Sequence, residues 1–225
     1  MANTVTLGDL HTQVLDLADD QGGFATSARV YEYINLALSE LWDILVTNYE
    51  HYGRSLDTVT LVSGTESYSL PTDYLKTLKV FAASGGKRYR LPRFTLEELD
   101  RYQDDVEAVR ADGSNLRYAV IGMLIWFTPT PTGGTVEHWY VPQAPQFDVT
   151  DPSDVINEVF PIGWEDFVIT AAAERLLIRE ERDPAGCSLL HQRAHQRIVS
   201  AAAIRDAGEP LRVSDTSGRW GSSWR

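Results

Sequence analysis

The sequence predicts an α+β fold: a helical bundle built from both ends of the chain, an antiparallel β region inserted between them, and an extended C-terminal tail. Apolar residues recur at helical spacing near both termini. Between them, runs of β-branched and aromatic residues alternate and are separated by turn signals. Residues 208–225 show no periodicity.

Each element follows from its residues. Leu7, Leu10, Val14, Leu15 and Leu17 predict a helix over residues 7–19, ended by Gln21-Gly22-Gly23. Ser27 is expected to cap a second helix, whose stripe of Val30, Ile34, Leu38, Leu41, Trp42 and Leu45 reaches about residue 49. After Gly53 the period changes to two. Residues 57–62 and 67–70 flank Ser63-Gly64-Thr65-Glu66 as a hairpin, closed by Pro71. Residues 75–82 and 88–91 flank Ser84-Gly85-Gly86-Lys87 as a second one. Thr95-Leu96-Glu97-Glu98 matches a capping box and opens a short helix to about residue 102. Residues 104–115 read as an acidic loop, and 116–120, 124–128 and 135–140 as three further strands. The strands are expected to form a small sandwich or barrel.

Pro161 is expected in the first turn of a helix carrying Trp164, Phe167, Val168, Ala171, Ala172, Arg175, Leu176 and Arg179. Asp183-Pro184 breaks the chain, and residues 189–204 form the last helix, with Leu190, Ala194, Ile198 and Ala201 on one side. Helices from opposite ends need each other to bury their stripes. The expected division is a bundle of residues 1–53 and 151–207, a β domain of residues 54–150, and a tail of residues 208–225.

Composition narrows the function classes. In 225 residues, 43% are hydrophobic and 23% charged, ordinary values for a globular protein. The single cysteine, Cys187, excludes a disulfide framework and a multi-thiolate zinc site. No apolar run approaches the roughly 18 residues of a membrane span, and the N-terminus is polar, so a soluble product made inside a cell, with no membrane partner, is expected. A net charge of −12 argues against a broad nucleic-acid surface. The charge is uneven. Residues 184–225 hold six Arg and three acids, a net of +3, which leaves −15 for residues 1–183; residues 146–166 hold six acids and no base. Opposite-sign ends suit head-to-tail contacts between copies or docking on an acidic partner, although solvated acidic loops give the same count. Arginine outnumbers lysine 17 to three, which suits bidentate bonds at interfaces.

No complete catalytic constellation is found. Ser84-Gly85-Gly86-Lys87 lacks the leading glycine and the trailing Ser/Thr of a phosphate loop and reads as a turn. His191 and His195 have the i, i+4 spacing of a zinc helix, but Gln192 stands where the base belongs, so they read as solvent-facing. The carboxylate pairs Glu97/Glu98, Asp104/Asp105, Glu165/Asp166 and Glu180/Glu181 are adjacent in sequence and diverge on a solvated face. A carboxylate-dependent glycan hydrolase using Asp104 or Asp105 remains the alternative function. Cys187 reads as a packed thiol. Trp126, Phe127, His138, Trp139 and Tyr140 split between two strand faces, one core and one a possible platform for sugars or a neighbouring subunit. No cofactor and no metal are expected. Arg212, Arg219, Trp220, Trp224 and Arg225 lie in a tail too poor in apolar residues to fold alone. Trp and Arg dominate binding hot spots, so these five are the expected partner-binding residues.

Several local phrases resemble the head–tail adaptor (connector) proteins of tailed bacteriophages. They are Tyr31-x-Tyr33-Ile34-Asn35 with Leu41-Trp42, then Ser67-Tyr68-Ser69-Leu70-Pro71-Thr72-Asp73-Tyr74. Phe127-Thr128-Pro129-Thr130-Pro131 before Trp139-Tyr140, and Pro161-x-x-Trp164-Glu165 before an alanine-rich helix, complete the pattern. The resemblance implies a structural, non-catalytic virion protein of the neck, assembled in the host cytoplasm. It implies a homo-oligomeric ring, commonly dodecameric, seated under the portal protein. The bundle would face the portal and the β region a tail or nozzle protein, with DNA passing through the lumen. Acidic walls would let DNA slide without sticking.

Overall fold

The computed structural model describes residues 4–19, 25–49, 52–84, 86–98, 110, 113–161 and 163–204. The fold is α+β, as expected, with four helices and seven strands among these residues.

Helix α1 (Leu7–Ala18) opens with a complete capping box: the Asp9 amide donates to Thr6 Oγ1 at 3.2 Å, and the Asp9 carboxylate accepts from the Thr6 amide at 2.9 Å. Its first turn is tied to a distant part of the chain, with the Leu7 amide donating to the Asp154 carbonyl and Gly8 to Pro152. Leu7, Leu10, Val14 and Ala18 are buried, whereas Leu17 of the expected stripe, in the last turn, is exposed. Helix α2 (Ser27–Asn48) buries Val30, Ile34, Leu38, Leu41, Trp42 and Leu45, the full expected stripe. Ser27 is not its cap. Thr26 holds the N-cap position without a side-chain bond, and Ser27 is already helical.

Helix α3 (Glu165–Arg179) begins four residues after Pro161, which therefore lies outside it; Trp164 is the N-cap. It buries Thr170, Ala173 and Leu177 beyond the expected stripe. The reason is its position: it packs against α1, α2 and α4 (Ala185–Ile204), so one face is not enough. Its run Ala171-Ala172-Ala173 lets neighbouring backbones come close. Helix α4 starts earlier than expected, because the Asp183 carboxylate accepts the Ala185 amide at 2.9 Å and caps it before Cys187. Cys187, Ala194 and Ile198 form its buried line, while Leu190 and Ala201 point outward.

The strands form two antiparallel sheets and no closed barrel. The first has the order β1 (Ser55–Leu61), β7 (Gly134–Pro142), β3 (Tyr74–Ser84), β4 (Lys87–Arg90). The second has the order β2 (Ser67–Ser69), β6 (Leu124–Thr128), β5 (Arg117–Ile121). The expected β3–β4 hairpin is present, with Phe81 opposite Arg90. The expected hairpin of residues 57–62 with 67–70 is not. β1 pairs with β7 and β2 with β6, so the Ser63–Glu66 turn carries the chain from one sheet to the other. Tyr68 holds that crossover: its hydroxyl accepts the Val62 amide at 2.7 Å and donates to the Thr65 carbonyl. Val80, Ala82, Leu116, Ile125, Phe127 and Val136 make the core of the β region. After Thr95, whose amide donates to the Glu98 carboxylate at 2.9 Å, the described helix is one 3-10 turn, Leu96–Glu98.

A seam joins helices to sheets. Trp42 Nε1 donates to the Pro142 carbonyl at 3.0 Å. Asn35 clamps Phe147, donating to its carbonyl at 3.0 Å and accepting its amide at 3.1 Å. Tyr52 donates to the Val159 carbonyl at 2.7 Å. Gly53, with φ of +64°, lies under the Trp42 ring, where a Cβ would fall 2.1 Å from Cη2.

Candidate interaction surfaces

Four of the candidate carboxylates have structural partners. Glu98 caps a turn, Glu165 accepts the Gly163 amide at 2.7 Å, and Asp166 holds Arg197 at 2.5 Å. Glu180 lies 3.3 Å from Arg182, whose guanidinium also donates to the Ala18 carbonyl and closes the end of α1. Arg175 likewise reaches Glu40 of α2. The arginines of α3 and α4 expected to serve other subunits thus include two, Arg175 and Arg197, that bind within the chain. Asp104 and Asp105 lie outside the described residues. A groove of about 500 Å³ opens at the seam beside Trp42, Pro142 and Gln146; the carboxylate in its lining, Asp73, accepts the Tyr140 hydroxyl at 3.0 Å.

His191 is not solvent-facing. Its ring lies against Phe167, centroids 4.5 Å apart and planes tilted by 43°, with its Nδ1 buried, whereas His195 is exposed. Among the described residues, no group of three or more His, Cys, Asp or Glu is placed to hold a metal ion. Cys187 is buried as expected, and burial, then the nearby Glu174 carboxylate, push its thiol up.

The strand aromatics divide as alternation requires. Phe127 and Tyr140 turn inward. His138, expected among the surface-or-core set, is fully buried between Tyr140 and Tyr74, with ring centroids at 5.4 and 5.8 Å. Its Nε2 bonds Thr77 Oγ1 at 3.0 Å, and its Nδ1 has no partner. Burial pushes its pKa down to about 4, against a smaller opposing pull from Asp57. His138 is therefore a neutral core residue.

The opposite face of the four-stranded sheet is only partly covered by the described residues. Register places Leu56, Trp139 and Lys79 in one row, and Thr58, Glu137, Phe81 and Arg90 in the next. Leu56 is 45% exposed, and Trp139 and Phe81 are half-buried. The Arg54 guanidinium lies 5.5 Å over the Trp139 ring, and Arg88 pairs with Glu137 at 2.9 Å. Two of its strands, β3 and β4, lie in the segment 74–96, which carries Lys76, Lys79, Lys87, Arg88, Arg90 and Arg93 and no acid, while β7 adds Glu137 to the face. All six cations are exposed. The charge asymmetry between the two ends of the chain concealed this +6 stretch; a charge count in windows of about twenty residues finds it. In the segment 146–166, Asp148, Asp151, Glu158 and Asp166 are exposed. Hydrogen bonds from Thr150 and Ser153 hold the carboxyls of Asp148 and Asp151 below their usual range. A third open surface is apolar: Ile178 at the end of α3, and Leu189 and Leu190 on α4.

The five tail residues expected to bind a partner, Arg212, Arg219, Trp220, Trp224 and Arg225, lie outside the described residues. No helix among the described residues is long and apolar enough to cross a membrane. Comparison with curated proteins finds no match. The family model of the SU10 adaptor protein matches residues 5–222, a span that runs through both helical ends, all seven strands and the tail as far as Ser222. The chain accordingly belongs to the SU10 adaptor protein family of phage head–tail adaptors, structural proteins of the virion neck that associate with other virion components.

Proposed function

We propose that many copies of the chain form a ring between portal and tail, that DNA passes through its lumen, and that the protein works by binding alone. The observation that carries this reading is the family match over residues 5–222. The surfaces support it: Glu98, Glu165, Asp166 and Glu180 serve caps and ion pairs, while cations of the sheet and the apolar side chains Ile178, Leu189 and Leu190 are exposed.

In this reading the chain divides into a bundle of residues 1–53 and 151–207, a β domain of residues 54–150 and a tail of residues 208–225. The bundle faces the portal and the β domain faces the tail or nozzle protein. The tail residues anchor on the portal: Arg212 and Arg219 pair with carboxylates, and Trp220 and Trp224 fill apolar pockets. Each tail binds weakly after its ordering cost, and a ring presents many at once, so avidity makes the attachment firm. The test is deletion of residues 208–225. The helical circular-dichroism signal is expected to stay, and co-sedimentation with portal-bearing heads to be lost. Wild-type co-sedimentation of the truncated chain would overturn the tail assignment. Electron microscopy of the full chain with portal tests the ring itself; a one-to-one complex would refute it.

A further inference from the structure

We propose that the partly exposed face and β4 edge of the four-stranded sheet are the surface on which a second copy of this chain docks, through the acidic segment 146–166 of that copy. This rests on the ring reading and adds which two surfaces meet.

The two stretches are matched in number and sign. Residues 74–96 hold six bases and no acid; residues 146–166 hold six acids and no base. They belong to different parts of the fold. The basic stretch runs through β3, β4 and the sheet edge, whereas the acidic one runs along the start of α1 and into the first turn of α3. Within the fold Arg88 pairs with Glu137 and Asp166 with Arg197. One surface of each kind on every copy is the geometry of a heterologous contact. Such a contact repeats head to tail and closes into a ring when the rotation allows.

The basic surface also carries what an interface core needs. Leu56, Trp139 and Phe81 lie among the cations, and the Arg54 guanidinium is already set over the Trp139 ring. Aromatic and arginine side chains of this kind concentrate binding energy. β4 is the sheet's outer strand, and three of its four residues are Lys87, Arg88 and Arg90. Charge on an edge strand blocks pairing by strand addition. The neighbour is therefore recognised through side chains, and the attraction weakens as salt rises. Duplex DNA is the other polyanion at hand. The acidic segment of a second copy offers a local count equal and opposite to that of the basic stretch, whereas duplex DNA has no such match in number.

The test is a charge swap on the full chain, read by sedimentation velocity and native mass spectrometry with portal present. Lys79→Glu with Arg90→Glu takes the basic stretch from +6 to +2. Asp151→Lys with Glu158→Lys takes the acidic one from −6 to −2. Circular dichroism checks that each variant folds. Each double variant alone is expected to lower ring yield about tenfold or more, since like charges facing each other at an interface cost several kcal/mol. The quadruple variant is expected to regain most of the wild-type yield. Three results would overturn the proposal: unchanged ring yield in either double variant; loss in both with no recovery in the quadruple variant; or unchanged assembly with lost retention of a duplex DNA fragment by Lys79→Glu/Arg90→Glu, which would make this face a DNA surface. In all three, wild-type rings show that the ring reading stands. Absence of rings in the wild type refutes that reading, and this proposal with it.

Discussion

In the helical region α3 is wrapped by α1, α2 and α4, and Ala171, Ala172 and Leu176 are closed off almost completely. In the β region the four-stranded sheet buries one face, while Leu56 and Thr58 on the other meet solvent. The two interiors also differ in chemistry. Around α3 the histidine that meets the core, His191 beside Phe167, stays partly exposed, whereas the β side holds a fully buried histidine between two tyrosines. Closed apolar packing makes a rigid frame; a sheet with one free face can serve assembly. On the proposed reading, the difference assigns a rigid frame to the helices and one docking face to the sheet.

Cutting the seam is the harshest way to break this arrangement. Trp42→Ala removes a ring that contacts Tyr52 and Phe160 and leaves the Pro142 carbonyl without its donor. It is expected to cost about 4 kcal/mol, the usual loss for truncating a buried aromatic. Calorimetry is expected to show the single wild-type transition lowered and split in two. A variant melting within a degree or two of wild type would show that the seam does not couple the regions.

The buried histidine sharpens the contrast through pH. His138 is held neutral, with a folded pKa of about 4 against an unfolded value of about 6.5. The unfolded chain then takes up the proton more readily. Stability is therefore full above about pH 6.5 and falls as pH drops toward 4, by roughly 3 kcal/mol for such a difference. His138→Leu is expected to flatten that slope in urea titrations between pH 7 and 4, while a helical control such as Leu176→Ala is expected to keep it. Equal slopes in wild type and His138→Leu would remove this histidine from the account.

The smallest expected effect is at Gly53. A methyl group there meets the Trp42 ring and forces an L-residue into left-handed backbone. Gly53→Ala is expected to cost about 2 kcal/mol, from left-handed strain and overpacking together. The same substitution at Gly64, which also has positive φ but open space around it, is expected to show the strain alone. Comparing the two midpoints in urea separates the steric part; equal losses would mean that the ring moves aside freely.

Much of this protein was legible before any coordinates. Burial repeats every 3.6 residues on a helix and every two on a strand, and the sequence records that repeat directly. The α2 stripe, the Thr95–Glu98 cap and the β3–β4 turn were readable for that reason, since each depends on residues a few positions apart. What failed depended on partners far along the chain. Whether β1 turns back onto β2 or crosses to β7 is settled by which sheet buries Leu61 and Val59, a choice between contacts about seventy residues apart that no local turn encodes. The extra buried positions of α3 needed three neighbouring helices. His138 could be named as aromatic-like, but its burial needed Tyr74 and Tyr140 on either side. The charges themselves were fixed by composition, yet only strand pairing gathered Lys79, Arg88 and Arg90 around Trp139 and Phe81 on one face. Local periodicity determines the elements, because each residue carries its own preference for burial. Tertiary structure decides the surfaces, because a face exists only after distant strands have paired.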